Sequence, residues 1–475
     1  MNTVTAIGVL VATLALFGLV GASSRMRTTT RDDFLTARAS QGAGPLALSL
    51  YASGMGVWIL FTPPIVAAYG GVLGAVGYAL GAAGPLVAIG ILGPYVRRRL
   101  PTGITLTDWV RLRYGRPFQL YVAVVSVFYM FMFVTAELTA IGDVLALPAF
   151  GGAEPWVAIV GTAVVTVAYT AYGGLPASLR TDRWQGWLML GLLALALAAL
   201  LFHVDGPGQA ALDGGLTRID RGGLESVLVL LIALTAANLF HQAYWQRLWA
   251  ATDEATLRRA TTVAAGLTAV TVLAVGLTGV VAAGLGDVSV PFFDLLTGLP
   301  GAIRLLIVVL AVALVASSVD SLENGMAALV AQDVSDQRLG TTAVRLVTVV
   351  LVAPAVLIAV QGYDILRLFL IADLVAAATV VPVFLGLGSR VTGTGALAGS
   401  VAGLVAVFTL GVVSDGGLEG GWAMLTVAAS PTLDLGAFVW APVVSTVVAL
   451  AASVGTRSHQ ASRGGRPPTA TVSPG

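Results

Sequence analysis

The chain of 475 residues is 57% hydrophobic and only 10% charged, against roughly a quarter charged in an average soluble protein, so a lipid bilayer is the solvent it is written for. A net charge of +1 offers no basic face for nucleic acid, and the absence of cysteine excludes disulfides, thiolate metal sites and cysteine nucleophiles. All 25 basic residues are arginine, which reads as codon bias and not as chemistry.

A helix needs about 20 apolar residues to cross about 30 Å of hydrocarbon, and the chain holds about thirteen such runs. They lie near 3–21, 44–72, 73–96, 117–147, 154–176, 178–203, 224–249, 256–286, 301–333, 341–361, 363–388, 394–415 and 436–455. The fold class is therefore an all-α membrane protein. The first run, TAIGVLVATLALFGLVGASS, lacks the basic n-region of a secretory signal and leads into a basic loop, so it is expected to remain as a span. With the N-terminus outside, 21 of the 25 arginines face inward, leaving only Arg218, Arg221, Arg304 and Arg367 on the other side. The positive-inside rule thus predicts N-terminus out and C-terminus in. The connections near 97–116, 204–223 and 416–435 are too short for a soluble domain, and the tail 456–475 has a disordered composition. No GxxxxGK[ST] phosphate loop occurs.

In the second run, YASGMGVWILFTPPIVAAYGG, Gly54 and Gly56 flank Met55 at mid-membrane and Pro63-Pro64 follow, so a kinked or broken helix is expected. Freed carbonyls near Ala52 and Met55 must then find partners, and secondary transporters place their sites at such discontinuous helices. The alternative is a kink that serves structure alone. In the fourth run Glu137 is an intramembrane carboxyl group and Asp143 lies near the outer boundary. Asp182, beside Arg180 and Arg183, reads either as a surface ion pair or as an aid to ion release and possible second ion site.

The ninth run contains LVASSVDSLENGMAALVAQDV, from Leu314 to Val334. At about 100° per residue, Ser317, Ser318, Asp320, Ser321, Asn324 and Gly325 share one arc of roughly 160°, with Glu323 pointing away. The hydroxyls of Ser317 and Ser318 beside the Leu314 carbonyl would form half of a hard-cation site. Serines that back-bond to their own helix or allow close packing are the competing explanation. Facing solute candidates are Ser53 and Trp58 on the second run, Glu137, then Asn238, His241 and Tyr244 on the seventh, and Asp320. The histidines at 203, 241 and 459 are too scattered for an acid/base or metal cluster, so an enzyme is not expected.

Four stretches in order carry a resemblance: LPTGITLTDWVRLRYG (100–115), AYGGLPASLRTDRWQGWLML (171–190), QRLWAATDEATLRRA (246–260) and the serine-pair segment, with an aspartate fifteen residues after its hydroxyls. Together they resemble the sodium:solute symporter family, which has the LeuT-type 5+5 inverted-repeat fold. The resemblance implies repeats over 44–203 and 224–388, with 1–43, the helices of 394–455 and the tail 456–475 outside the core. It implies sodium bound between the second and ninth helices by the carbonyls of Ala52, Met55 and Leu314 and the hydroxyls of Ser317 and Ser318, with no cofactor and no other metal. Several family members carry an acidic residue in the second helix; this chain reads Ala52-Ser53-Gly54-Met55 there, leaving Asp320 as a candidate charge. The YWQR at 244–247 resembles the urea-transporting branch, and Ala-Ser-x-Met-x-x-Trp the sodium–proline branch. The expected function is sodium-coupled import of a small neutral or zwitterionic organic solute across a bacterial or archaeal plasma membrane, with no protein or nucleic-acid partner. Proton coupling and a passive channel are the alternatives.

Overall fold

The computed structural model describes residues 2–22, 31–286, 288–334, 340–388, 391–428 and 434–462, and these are helical with no β-strand. In chain order the helices are α1 (Thr3–Ala22), α2 (Arg31–Thr36), α3 (Ala43–Gly54), α4 (Thr62–Arg99), α5 (Leu106–Tyr114), α6 (Arg116–Ala146), α7 (Pro155–His203), α8 (Pro207–Asp213) and α9 (Arg221–Asn238). They continue as α10 (Gln242–Ala250), α11 (Glu254–Leu285), α12 (Pro291–Asp294), α13 (Gly301–Leu329), α14 (Thr341–Ala359), α15 (Ile365–Phe384), α16 (Gly393–Ser414), α17 (Gly417–Leu425) and α18 (Leu435–Ser462).

Eleven helical segments among the described residues are long and apolar enough to cross a membrane. They are fewer than the apolar runs because two pairs of runs join. The segments Val57–Arg99 and Pro155–His203 hold 43 and 49 residues, about twice one crossing at 1.5 Å per residue. Each is interrupted by a glycine that only glycine's freedom allows: Gly71 at φ 61, ψ −152 and Gly174 at φ 60, ψ −154. Pro63 and Pro64, expected to kink the second run, instead open α4 in its first turn, where a missing N–H costs nothing. The connections near 97–116, 204–223 and 416–435 carry the short helices α5, α8 and α17. The last helix runs on to Ser462, beyond the expected end of the span, while 463–475 lie outside the described residues. So do residues 23–30 of the basic loop, together with Arg338 and Arg390.

Packing follows from where the polar groups must go. The surface exposes large apolar side chains such as Leu19, Val124, Leu201 and Val454, as a lipid-facing exterior does. The interior collects Glu137, Asp182, Arg247, Asp320, Glu323 and Asp373, groups that hydrocarbon will not accept unpaired. Helix α13 lies at the centre of this interior, packed on α6, α7, α3 and the short 3-10 turn Val57–Leu60, while α4 packs along α11 and α9.

The glycine kink is testable. A Cβ at Gly174 would lie 2.6 Å from the Phe34 carbonyl in a backbone conformation closed to L residues. We expect Gly174→Ala to lower stability by about 1–3 kcal/mol in thermal unfolding of the detergent-solubilised protein. Gly191→Ala, where nothing lies within 4 Å, should leave it unchanged or raise it; equal melting of the two variants would refute the constraint.

Candidate ion and solute site

The site is built on a broken helix. α3 ends at Gly54, and Met55 (φ −89, ψ 104) and Gly56 (φ −106, ψ 178) are extended. The Met55 amide bonds the carbonyls of Tyr51 and Ala52 at 3.0 and 3.2 Å, and the Ile59 amide bonds Gly56 at 3.3 Å where a continuous helix would bond Met55. The Met55 carbonyl is thereby released. On the far side of the break the amides of Val57 and Trp58 donate to the two carboxyl oxygens of Glu137, at 2.8 and 3.2 Å. Glu137, reaching across from α6, caps the resumed helix. Only glycine fits between them, since a Cβ on Gly56 would sit 2.2 Å from Glu137 Oε1. A second break falls between α9 and α10, where Phe240 and His241 bond back to Ala237 and Asn238 at 2.9 and 3.1 Å. Neither glycine nor proline marks it, so the sequence carries no break signal there beyond its polar residues.

The serine pair of α13 faces these elements with its protons turned away. Ser317 donates to Asp182 Oδ1 at 2.9 Å, and Ser318 to Glu137 Oε2 at 2.9 Å. A hydroxyl that gives its proton to a carboxylate keeps its lone pairs for a cation. Two hydroxyl oxygens of this kind are ligands that a hard cation takes; of the carbonyls expected to join them, that of Leu314 lies on the same helix and those of Ala52 and Met55 lie at the break. The carboxyl groups that accept the serine protons come from α6 and α7; Asp320, the candidate charge, lies on α13 itself and is held elsewhere. Asp320 accepts from Tyr169, Ser178 and Ser321 at 2.8, 2.8 and 3.2 Å, which ties α13 to α7. Glu323 is buried and accepts from Thr166 at 3.0 Å.

Asp182 is no surface carboxylate. It is fully buried in an ion pair with Arg247 Nη2 at 2.7 Å, and Ser49 donates to the same oxygen at 2.5 Å. Arg247 also donates to Ser49 at 2.7 Å, to Ser321 at 3.0 Å and to the Ala243 carbonyl at 3.0 Å. One pair thus ties α3, α7, α10 and α13 together. With the guanidinium and two serines around it, Asp182 has its positive partner from the chain itself.

On the other side of the break lies a cavity of about 20 Å³ lined by Trp58, Tyr78, Tyr129, Asn238, Tyr244, Phe369 and Asp373, among others. Of the solute candidates, Trp58, Asn238 and Tyr244 meet here. Ser53 does not line it and bonds its own helix at Leu50; Glu137 is engaged at the break, Asp320 at α7, and His241 stacks behind Tyr244 at 4.6 Å. Asp373, on α15, is the residue that sequence reasoning passed over. Its signal was the one carboxyl group within that helix, at mid-span, a functional candidate by default. A larger groove of about 830 Å³ lies elsewhere, between Arg180, Arg183, Trp184 and Trp187, a pairing typical of a membrane interface.

The recurrent sequence stretches act as scaffolding around this centre. Arg113 donates to the carbonyls of Gly386, Gly388 and Val391 at 2.8 to 3.0 Å, and Tyr114 to Pro382 at 2.6 Å, fastening α5 to the end of α15. Asp333, which follows the serine pair, accepts from Thr107 and from Gln119 at 2.6 Å. Gln246 bonds the Leu35 carbonyl at 2.8 Å beside Arg247.

No family model matches the chain. The spermidine transporter of Candida albicans is 31% identical over 442 residues, covering 90% of this chain and 84% of that protein. The high-affinity proline transporter PutP of Bacillus subtilis is 26% identical over 269 residues, covering 52% and 54%. Among solved structures, a Na+-coupled sialic acid symporter in an outward-open state superposes with TM-score 0.73 at 19% identity, over 95% of this chain and 98% of the other. MhsT in complex with L-phenylalanine gives 0.57 at 16% identity over 87% and 99%. These likenesses establish a LeuT-type transporter fold.

The buried pair makes a quantitative expectation. Asp182→Asn or Arg247→Gln alone should each cost about 3–5 kcal/mol by stranding a buried charge. The double variant should lose clearly less than the sum. A double-mutant cycle by thermal unfolding checks this, and strictly additive losses would show the two groups to be uncoupled.

Proposed function

Since the chain belongs to the sodium:solute symporter family of membrane transporters, we propose that it imports a small organic solute by sodium-coupled alternating access. The observation that carries this reading is the double engagement of Glu137, which caps the helix break through Val57 and Trp58 and accepts the proton of Ser318. An ion held by Ser317, Ser318 and the carbonyls of Ala52, Met55 and Leu314 would sit astride the contact between α13 and the broken helix. Sodium would then be bound best when those elements are close. The same closeness sets Met55 and Trp58 in the wall of the solute cavity. Ion and solute would each raise the other's affinity by the same factor, which is what coupling requires.

The cluster also favours a cation electrostatically. Glu137 and Asp182, which accept the serine protons, lie there against one guanidinium, Arg247. An inward sodium gradient and a membrane potential, worth about 2.3 kcal/mol per charge per 100 mV, would supply the driving force. Spermidine and proline, named for the two relatives, both carry an amino group, and we take the solute to be a nitrogen compound of that kind. The arginine distribution supports a plasma-membrane orientation with the N-terminus out, the C-terminus in and thirteen crossings, once the two glycine-kinked segments are each divided.

The test is uptake of labelled spermidine, proline and urea into proteoliposomes with and without an inward sodium gradient. For the solute carried, wild type should require sodium. Ser317→Ala/Ser318→Ala should raise the half-saturating sodium concentration about tenfold or more, equivalent to about 1.4 kcal/mol. Uptake that ignores sodium and both serines but follows a proton gradient would overturn the proposal.

A further inference from the structure

We infer that Asp373 anchors a cationic ammonium group of the transported solute, inside a cage of aromatic rings. The inference rests on the proposed transporter reading and names the chemistry of its solute. Asp373 sits in the membrane-spanning α15 at 2% exposure. It lines the cavity beside the helix break. Among the described residues it has no hydrogen bond or ion pair, whereas the other buried carboxyl groups of the interior, Glu137, Asp182, Asp320, Glu323 and Asp333, all accept hydrogen bonds from the chain. A carboxyl group left without a partner at that depth is costly to keep, and a ligand of opposite charge is the partner that offsets the cost.

The walls say what kind of cation. Trp58 stacks on Tyr78 with ring centroids 5.6 Å apart, and Phe369 meets Trp58 edge-on at 6.4 Å and Phe133 at 4.9 Å. Tyr129 and Tyr244 complete the lining. Aromatic faces attract an organic ammonium and give few of the oxygens that a bare sodium ion would need. A volume of about 20 Å³ suits a group the size of one water, as an ammonium head is. Nothing basic lines the cavity, and the amides of Val57 and Trp58, the donors that a broken helix would offer to a solute carboxylate, are already held by Glu137. The pocket therefore favours an amine over an amino acid and over a neutral solute, a different cargo from the neutral or zwitterionic one that the sequence led us to expect.

Binding to purified wild type tests this directly, with labelled spermidine as the probe and N-acetylated spermidine, proline and urea as competitors, at saturating sodium. Spermidine should bind, and acetylation, which removes one ammonium charge, should weaken competition tenfold or more. Asp373→Asn should weaken spermidine binding at least tenfold, Asp373→Glu should restore part of it, and both variants should bind sodium, measured with 22Na+, as wild type does. Because the acetylation arm uses wild type, it stands even where a variant misfolds. Equal spermidine affinity in wild type and Asp373→Asn would overturn the inference, as would a wild type that binds urea or proline and not spermidine; sodium-dependent uptake in that last case leaves the symporter reading intact. Spermidine uptake that depends on Asp373 but ignores sodium would uphold the inference and overturn the coupling.

Discussion

The structure turns on one requirement: backbone amides opened in the middle of a membrane must be given partners. In hydrocarbon no water can supply them, and here Glu137 does so by receiving the amides of Val57 and Trp58 on its two oxygens. The carboxyl group is in turn stabilised by those donors and by Ser318. A helix break and a buried acid, each unfavourable alone, satisfy one another. Gly56 follows from this, because any side chain would displace the carboxyl group.

From that junction the arrangement spreads outward through a second polar assembly. Asp182 and Arg247 form the ion pair, while Ser49, Ser317 and Ser321 take up their remaining hydrogen-bonding positions. Four helices are fixed relative to one another by groups that have no alternative partners in lipid. This gives a closed polar interior with two distinct faces. On one, the hydroxyls of Ser317 and Ser318 turn their protons onto carboxyl groups; on the other, aromatic rings and Asp373 line a cavity. On the proposed reading the first face would hold the coupling ion and the second the solute.

The stretches by which the family is recognised are mostly not where ion or solute would bind. Arg113, Tyr114, Asp333 and Gln246 fasten the ends of helices to neighbouring carbonyls and side chains. They hold the frame within which the broken helices are positioned. Asp182 and Arg247 are the exceptions, since they belong to those stretches and also reach the serine pair.

Much of this was legible in the residues alone, for definite reasons. Apolar runs long enough to cross a bilayer identify membrane helices because lipid admits little else. Gly54 and Gly56 announced the first break because glycine is costly within a helix unless the backbone needs its freedom. The serine pair stood out by helical periodicity. What the sequence could not show is pairing across helices distant in the chain. It could not place Asp182 against Arg247 in the interior instead of at the surface, or direct Glu137 to the break instead of the solute. It could not reveal that, among the described residues, Asp373 alone of the buried carboxyl groups faces a cavity unpartnered. Nor did it mark the break between α9 and α10, which has no glycine or proline. Composition and periodicity act within a single helix and determine what each segment is. Which charges neutralise one another, and which one is left for a ligand, depends on how the helices pack, and only the tertiary structure decides that.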